Sequence, residues 1–464
     1  MKNKSNEVGV DPIWDVRTLS KSKQLLLGFQ HLFAMFGATV LVPLLTGLDI
    51  STTLLMSGIG TLLFHLITKN KVPVYLGSSF AFLAGYQTLA PLISTVVNGK
   101  TILEPDIEGL QYANGGLFIS GIVFLLIAFL IKKLGVNKVM RFFPPIVTGP
   151  IIICIGLSLA PNAINQAKSN WLLALVAVVS IIIFNIFGKG MVKIIPIMLG
   201  IIIAYVVALI TKQVDFSLLN NVEAFAVPLD SARFMKLNWE GVAVMVPISI
   251  ATLMEHIGDI SAVSATTGQN YLKDPGLHRT LAGDAVATSL SGFFGGPDMT
   301  TYGENIGVMA LTKVYDPRVM RIAAVLAAIL SFFPAVSAFI RTIPEAIIGG
   351  VSIILYGMIA STGVRNLVEN KIDLSKSRNM IIAGCIFVSG LGFGEGLQIG
   401  NFTIPGIAVA AVIGILLNVI LPGNEYQLDV DQPNPSGTGS DFSVRNREAD
   451  EEEETTEVVE ETKE

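Results

Sequence analysis

Met299-Thr-Thr-Tyr-Gly-Glu-Asn-Ile-Gly307 interrupts an apolar region of the chain, and Pro73-Val-Tyr-Leu-Gly-Ser-Ser-Phe80 does the same much earlier. Neither stretch predicts a continuous apolar helix. Each predicts about five extended residues followed by a short helix, with Ser79 or Asn305 near the helix N-terminus. Extended backbone cannot face lipid, so the two stretches must pair with each other or line a cavity. The alternative is a pair of Gly/Ser helix-packing seams, which does not account for Glu304 in the middle.

The composition places most of this chain in a membrane. Of 464 residues, 52% are hydrophobic and 14% are charged, whereas a soluble chain is about one quarter charged. This argues against a soluble enzyme, a nucleic-acid-binding protein and a disordered scaffold. The net charge of -5 comes from the C-terminal end, where ten of the last 17 residues are acidic. Cys154 and Cys385 lie in apolar runs, which favours buried small side chains over a disulfide or a metal cluster.

A helix needs about 20 mostly apolar residues to cross a bilayer, and the sequence predicts roughly fourteen such spans. With the N-terminus inside, 25 of the 31 Lys and Arg residues fall on the inner side, in agreement with the positive-inside rule. Both termini are therefore predicted to be cytoplasmic, with a disordered acidic tail. The predicted spans are 24–46, 51–68, 73–93, 115–134, 143–162, 170–188, 192–211, 238–263, 277–295, 299–315, 319–340, 343–363, 378–396 and 403–422.

These spans divide into two sets of seven, and an odd number of spans per repeat inverts the second copy in the membrane. A trace of the repeat survives in the sequence. Arg141-Phe-Phe-Pro-Pro-Ile-Val-Thr-Gly149 resembles Arg341-Thr-Ile-Pro-Glu-Ala-Ile-Ile-Gly349, and each opens the fifth span of its half. The two interrupted stretches fall in spans three and ten, which are also equivalent. Paired interrupted spans in corresponding halves indicate a transporter with a binding site near the membrane midplane.

Two carboxylates lie at membrane depth in span eight. Glu255 and Asp259 are four residues apart and therefore share one face of a helix. Two carboxylates in a low-dielectric site cannot both ionise cheaply, so one is expected to hold a proton near neutral pH, as a proton-coupled carrier requires. For Asp259 alone, the alternative is a solvated position at the cytoplasmic end of the span.

A third carboxylate, Glu304, follows the extended stretch of span ten. Alternation along a strand predicts that Thr300, Tyr302 and Glu304 share one face, and that Glu304 meets Glu255 across a cavity. With the backbone amides of the interrupted stretches, these groups suit a small planar neutral ligand that carries both N–H donors and C=O acceptors. An anionic ligand would instead require Arg or Lys at depth, and the interrupted stretches contain neither.

Other polar residues in the spans have structural alternatives. His31 in span one fits either a proton relay or a hydrogen bond between helices. For Asp284 in span nine, a helix–helix hydrogen bond is favoured over a relay, and His256 is interpreted as structural. The sequence contains no Gly-rich phosphate loop with Lys-Ser/Thr and suggests no Ser-His-Asp order. We therefore expect neither ATP-driven transport nor catalysis.

Six motifs carry a resemblance to a known family. The sequence resembles the nucleobase-ascorbate transporter family (nucleobase:cation symporter-2), in its bacterial uracil permease branch. The resemblance extends over nearly the whole membrane part. The motifs are QHLFAMFGATVLVP at Gln30, YLGSSFAF at Tyr75, EHIGD at Glu255, DPGLHR at Asp274, TTYGENIGVMA at Thr300 and GGVSIILYG at Gly349.

The resemblance implies an all-α polytopic membrane protein. Its fourteen segments would form two inverted seven-segment repeats, with short antiparallel strands in segments 3 and 10. A core domain would move against a gate domain, and the substrate would lie between the two strands. The implied divisions are a cytoplasmic N-terminal arm at 1–23, a core domain at 24–134 and 238–340, a gate domain at 143–211 and 343–422, and a disordered acidic cytoplasmic tail at 423–464.

The resemblance also implies roles for individual residues. Glu255 and Glu304 would accept hydrogen bonds from uracil N–H groups. Backbone N–H groups at Phe80 and Gly303 would meet the uracil carbonyls. The other residues implied at the binding site are Tyr302, Tyr356, Ser79 and Ala38.

Proton coupling is implied at Glu255, Asp259 and His31. One departure from the family matters here, because a well-known uracil permease pattern ends in His where this chain has Asp259. Coupling through a histidine at that position is therefore in doubt, and a carboxylate relay is favoured.

We therefore expect a proton-coupled symporter that imports uracil across the bacterial cytoplasmic membrane, and not an enzyme. One alternative is a purine symporter of the same family, which would carry xanthine or uric acid. Another is an anion exchanger or channel of the related sulfate-transporter fold. Protons and membrane lipid are expected partners, nucleic acid and cofactors are not, and a homodimer through the gate domain is a further expectation.

Overall fold

In the computed structural model, the described residues are 8–97, 100–220, 222–394, 396–399 and 402–423. The predicted acidic tail lies outside them except for Gly423, as do the first seven residues of the predicted arm. The helices are α1 (Lys21–Thr46), α2 (Ile50–Ile67), α3 (Leu83–Leu89), α4 (Ile107–Leu134), α5 (Val136–Met140), α6 (Pro145–Ala167), α7 (Trp171–Phe187), α8 (Met191–Ile194), α9 (Pro196–Ile210), α10 (Trp239–Thr267), α11 (Leu277–Phe293), α12 (Gly303–Thr312), α13 (Pro317–Leu330), α14 (Pro334–Arg341), α15 (Glu345–Glu369), α16 (Ser377–Gly392) and α17 (Gly406–Ile420). The strands are β1 (Leu76–Ser78), β2 (Leu92–Val97), β3 (Lys100–Pro105), β4 (Met299–Thr301), β5 (Leu397–Ile399) and β6 (Phe402–Ile404).

Polar N-cap residues mark where several long helices begin. The side chains of Ser20, Asp49 and Asp106 each accept a hydrogen bond from the backbone N–H three residues further on. This satisfies one of the N–H groups that the first helical turn leaves without a partner. Helix α1 ends at Gly47, whose φ of 78° is readily adopted only by glycine.

Several of the described helices are long and apolar. Six could cross a membrane, namely α1, α2, α4, α6, α10 and α15, and the bent pair α13–α14 makes a seventh if it is one span. Helices α7, α9, α16 and α17 are apolar but shorter. The chain is thus a multi-pass membrane protein, while the count of fourteen spans and their inverted repeat remain predictions.

Predicted span eleven is not one continuous helix. Helices α13 and α14 meet at an angle of 84°, and Phe333 between them has extended backbone. Pro334 follows and occupies the first turn of α14. Because the proline ring disfavours helical backbone in the residue before it, Phe333 is extended and α14 begins at the proline, with three residues between it and the end of α13 at Leu330.

The two interrupted stretches pair with each other, as predicted. Strands β1 and β4 are antiparallel, with Leu76 opposite Thr301, Gly77 opposite Thr300 and Ser78 opposite Met299. All six residues are buried. Each strand is followed by a short helix, α3 or α12. The strand pair therefore lies inside the protein, where its backbone groups do not face lipid.

Two further hairpins occur besides the predicted strands of segments 3 and 10. Strands β2 and β3 pair between α3 and α4, and β5 pairs with β6 between α16 and α17. Predicted span three consequently ends early, because α3 stops at Leu89. The sequence that follows, Leu92-Ile-Ser-Thr-Val-Val97, is rich in β-branched residues, which favour a strand over a helix.

Buried apolar side chains form two large clusters. One is built mainly from α6, α7, α9, α15, α16 and α17. The other is built mainly from α1, α2, α11, α12 and α13 with strands β1 and β4. Helix α10 joins both, with Ile248 in the first cluster and Leu253 in the second. Phe80 packs against both clusters and so marks the boundary where the site lies.

Candidate functional site

A cavity of about 830 Å³, part of it open to solvent, lies between the two clusters. One wall comes from the turn after β1, from α10 and from the β4–α12 segment. The opposite wall comes from α6, α9 and α15. The lining residues are Ser78, Phe80, Ala81, Ile152, Ile155, Ile197, Ala251, Glu255, Asp259, Thr301, Tyr302, Gly303, Glu304, Leu355, Met358, Ile359 and Thr362.

Glu255 reaches the cavity from the middle of α10. The Ser79 hydroxyl donates a hydrogen bond to Glu255 Oε2 over 2.9 Å. That hydroxyl also accepts a hydrogen bond from the backbone N–H of Ala81 at 3.1 Å. Ser79 is 2% exposed and is not part of the lining, so it acts on the site through Glu255.

Asp259 lines the cavity one helical turn beyond Glu255. Its side chain is buried, and Thr301 Oγ1 donates a hydrogen bond to Asp259 Oδ2 over 2.9 Å. The alternative of a solvated Asp259 at the end of the span is therefore wrong. The two carboxylates share one helix face, as their spacing predicts.

Glu304 lines the cavity together with Tyr302, but the prediction that Thr300 shares their face is wrong. Strand β4 ends at Thr301 and α12 begins at Gly303, so Glu304 lies in the first helical turn. Side chains that alternate by about 180° along a strand rotate by about 100° per residue in a helix. Thr300 accordingly points away from the cavity and donates a hydrogen bond to Asp284 Oδ2 over 3.0 Å.

Tyr302 locks the strand pair together beside the cavity. Its hydroxyl donates to the backbone oxygen of Ser78 over 2.8 Å and accepts from Thr39 Oγ1 at 3.3 Å. Its ring covers Gly77, where a Cβ would lie 2.3 Å from the tyrosine Cζ. Position 77 therefore requires glycine for this close approach.

Besides Ser79, three predicted site residues lie outside the cavity lining. Tyr356 is buried in the first apolar cluster, next to the lining residue Leu355. Ala38 is buried in the second cluster. His31 is also buried, and Asn305 Nδ2 lies 3.2 Å from its ring Nδ1 and 3.0 Å from its backbone oxygen. These contacts join α1 to α12, in agreement with the helix–helix alternative for His31.

A buried polar pair, His256 and Asp284, contacts β4 on the side away from the cavity. His256 Nδ1 lies 2.7 Å from Asp284 Oδ2, and His256 Nε2 lies 3.0 Å from Thr280 Oγ1. The pair joins α10 to α11, as the favoured interpretation of Asp284 predicts. Because Thr300 bonds the same carboxylate, the pair also positions β4.

The sequence analysis does not identify every residue of the site. Ile152 and Ile155 of α6 line the cavity, but nothing distinguishes them from other isoleucines in an apolar helix. Asp298 lies outside the lining, just before β4, where it is fully buried and accepts a hydrogen bond from Thr288 Oγ1 over 2.6 Å. A lone acid just before an interrupted stretch at membrane depth is the signal that could have identified it.

Comparison with known proteins gives matches over most of the chain. Residues 22–398 match the model of the Permease family. The chain is 43% identical over 427 residues to the uracil permease of Bacillus caldolyticus, covering 89% of this chain and 95% of that protein. It is 43% identical over 423 residues to the uracil permease of Bacillus subtilis (strain 168), covering 87% and 94%. For the uracil permease of Escherichia coli (strain K12), identity is 37% over 406 residues, covering 85% and 90%.

Two solved structures are similar in fold. The overall structure of SLC26A9 aligns with a TM-score of 0.62 at 11% identity, covering 88% of this chain and 66% of that one. The transmembrane domain of the cyanobacterium bicarbonate transporter BicA aligns with a TM-score of 0.56 at 12% identity, covering 88% and 99%. At this identity, the likeness concerns the fold alone.

Proposed function

The chain belongs to the Permease family, and we propose that it imports uracil together with protons across the cytoplasmic membrane of a bacterium, as a secondary active transporter. Three relatives that it matches over most of their length are uracil permeases. The observation that carries the proposal is the charge of the cavity. Glu255 and Glu304 both line it, and the described lining residues include no Lys or Arg.

Uracil is a planar neutral ring with two N–H donors and two carbonyl acceptors, and the cavity offers partners for both. The carboxylates of Glu255 and Glu304 accept hydrogen bonds from the N–H groups. Backbone N–H groups at Phe80 and at Gly303, where α12 begins, donate to the carbonyls. Ile155 and its apolar neighbours cover the faces of the ring.

In this proposal the remaining predicted binding residues support the residues that contact the ligand. Ser79 holds the Glu255 carboxylate in place. Tyr302 contributes its ring to the lining, while its hydroxyl is used by the strands. Tyr356 and Ala38 pack behind the lining from opposite clusters. These contacts keep the cavity walls in position around the ring.

Uracil would cross the membrane when a core domain moves against a gate domain. The two domains would be formed by fourteen segments in two inverted repeats. The core domain comprises 24–134 and 238–340, and the gate domain comprises 143–211 and 343–422. The second apolar cluster belongs mainly to the proposed core domain, whereas the first combines the gate helices with core residues from α1, α3, α4 and α10. The cavity lies between the two clusters. Both termini are cytoplasmic in this account, because 25 of the 31 basic residues then face inward. Two copies would associate through the gate domain.

Proton coupling is assigned to the carboxylates of α10. Glu255 and Asp259 face the same cavity one turn apart, and two negative charges so placed in a membrane repel each other. A proton on one carboxylate removes this repulsion when neutral uracil binds. The family resemblance also places His31 in the relay, and its ring Nδ1 lies 3.2 Å from Asn305 Nδ2.

The second candidate is an anion exchanger or channel, the alternative that the sequence leaves open for a fold shared with a bicarbonate transporter. A bound anion needs positive charge, and the described lining instead carries three carboxylates, those of Glu255, Asp259 and Glu304. A purine carrier, for xanthine or uric acid, would use the same carboxylates and differ in the size of the ligand.

Isothermal titration of the purified protein distinguishes these candidates. Uracil should bind in a one-to-one complex, and bicarbonate should give no heat of binding. Xanthine binding more tightly than uracil would support the purine carrier. If bicarbonate binds and uracil does not, the result would support the anion carrier and contradict the proposal.

A further inference from the structure

Strands β1 and β4 form a sheet of only two short strands, so each strand has an outer edge without a neighbouring strand. Gly77 lies opposite Thr300 within the sheet. On either side of this pair, Leu76 and Met299 direct their backbone groups outward to helices. Inside a membrane no water is available for such groups, and leaving them without a partner is unfavourable.

Helix α2 provides hydrogen-bond partners for the backbone groups at the outer edge of β1. The backbone N–H of Leu76 donates to Thr61 Oγ1 over 2.9 Å, and Ser57 Oγ donates to the Leu76 oxygen over 2.7 Å. Ser57 and Thr61 lie one turn apart on the same helix face. All three residues are fully buried. Two hydroxyl groups thus take the place of a neighbouring strand.

Helix α11 likewise provides hydrogen-bond partners for the backbone groups at the outer edge of β4. The backbone N–H of Met299 donates to Thr288 Oγ1 over 3.2 Å. The hydroxyl of Thr288 lies 2.6 Å from Asp298 Oδ1 and 3.0 Å from the Met299 oxygen, and it donates to these acceptors. One turn earlier on α11, Asp284 accepts the hydrogen bond from Thr300. Helix α11 therefore forms hydrogen bonds with three consecutive residues, Asp298, Met299 and Thr300.

The two edges correspond under the predicted inverted repeat. Helices α2 and α11 match the second spans of the two halves, and β1 and β4 lie in the third. In each half a buried threonine accepts the N–H of one strand residue, Thr61 from Leu76 and Thr288 from Met299.

We propose that Thr61 and Thr288 are positioning residues. They fix the position of the strand pair relative to α2 and α11, and this position determines the affinity for the transported ring. Neither belongs to the described cavity lining, so they act through the strands. A shift of β1 would displace Phe80, and a shift of β4 would displace Gly303 and Glu304. This inference rests on the proposed function, since it concerns the affinity of the same site.

The effect falls on affinity and leaves turnover largely unchanged. The strands and the helices that hold them, α2 and α11, belong to one apolar cluster. Their mutual hydrogen bonds therefore persist when this cluster moves against the other. Loosening the strands raises the KM for uracil, while kcat at saturating uracil stays nearly constant.

The test compares Thr61→Val and Thr288→Val with the wild-type protein. Valine keeps the shape and removes the hydroxyl, leaving a buried N–H without a partner, so the Kd and KM for uracil should rise about tenfold. Thr61→Ser and Thr288→Ser keep the hydroxyl and should restore both to within about threefold of wild type. Thr68→Val is the matched control. That hydroxyl is buried and bonds only to carbonyls of its own helix, so its loss should leave Kd unchanged.

The outcomes separate this inference from the proposed function. If the wild-type protein does not bind uracil, the proposed function fails. If it does, and a folded valine variant binds with unchanged affinity or loses kcat alone, the positioning role is wrong. Should neither valine variant fold, Ser57→Ala decides, since it removes the shorter hydroxyl contact to the Leu76 oxygen together with the contact to the Tyr75 hydroxyl and keeps Thr61. Its Kd should rise about threefold, and an unchanged Kd would overturn the inference.

Discussion

The Ser79 hydroxyl donates its single proton to Glu255 Oε2 over 2.9 Å, and its oxygen accepts the N–H of Ala81 at 3.1 Å. Since the hydroxyl has one proton, the bond to Ala81 leaves that proton for the carboxylate. The bond joins the turn after β1 to the middle of α10. It therefore fixes the Glu255 carboxylate at the cavity before any ligand binds.

The first prediction concerns the carboxylate at the start of α12. Glu304→Gln keeps the size of the side chain and removes its charge. A hydrogen bond to a charged group contributes about 1.5–3 kcal/mol, so the Kd for uracil should rise by roughly 10- to 150-fold. Isothermal titration measures this change, and thermal unfolding shows whether the variant keeps its fold.

Glu240→Gln provides the control for that experiment. Glu240 lies in the first turn of α10 and outside the cavity lining, so its Kd for uracil should equal that of the wild-type protein. An unchanged Kd for Glu304→Gln would remove Glu304 from the binding site.

The second prediction concerns the contact between Gly77 and Tyr302. A Cβ at position 77 would lie 2.3 Å from the tyrosine Cζ. The ring cannot retreat without losing the hydrogen bond from its hydroxyl to Ser78. Gly77→Ala should therefore lower the free energy of unfolding by about 1–3 kcal/mol and weaken uracil binding. Both are measured by thermal unfolding with and without uracil.

Gly384→Ala is the matched substitution in a helix. A Cβ at Gly384 meets no atom within 4 Å, and alanine stabilises a helix by up to about 1 kcal/mol relative to glycine. Its Tm should be equal to or higher than that of the wild-type protein. Equal Tm values for the two variants would show that the Gly77 contact is not tight.

The third prediction concerns the N-terminal arm, which docks beside the end of α12. The side chain of Ile13 is fully buried, and its backbone bonds Lys313 and Tyr315. The Arg17 guanidinium holds the pKa of Asp15 well below its usual range, so that carboxylate remains charged and paired with Arg318. The arm is therefore held by a buried side chain, backbone hydrogen bonds and an ion pair.

Removing most of the buried side chain should release the arm. Ile13→Ala should destabilise docking by about 2–5 kcal/mol and speed trypsin cleavage after Arg17, which lies within the arm. Val10→Ala is the control, since Val10 is 59% exposed and should not change the cleavage rate. Equal cleavage rates for the two variants would contradict docking of the arm.

Much of the site follows from polar residues in apolar surroundings. Glu255 and Asp259 are recognisable because a helix places residues four apart on one face. The pairing of β1 with β4 is recognisable because extended backbone cannot face lipid. In both cases a single strong physical constraint acts on a short stretch of sequence.

Other features depend on contacts that local sequence does not specify. The direction of Glu304 depends on where β4 ends and α12 begins, and a shift of one residue reverses a side chain on a strand. The isoleucines of α6 become cavity lining only because α6 packs opposite Glu255. The break at Pro334 has a local cause, but an apolar run on both sides conceals it.

The central claim is best tested by uptake of labelled uracil into proteoliposomes with an imposed proton gradient. With the external medium more acidic than the lumen, uracil should accumulate inside. A protonophore should abolish this accumulation, and excess xanthine or uric acid should not compete. Accumulation that is indifferent to the proton gradient would contradict proton coupling, and inhibition by xanthine more strongly than by unlabelled uracil would contradict uracil as the substrate.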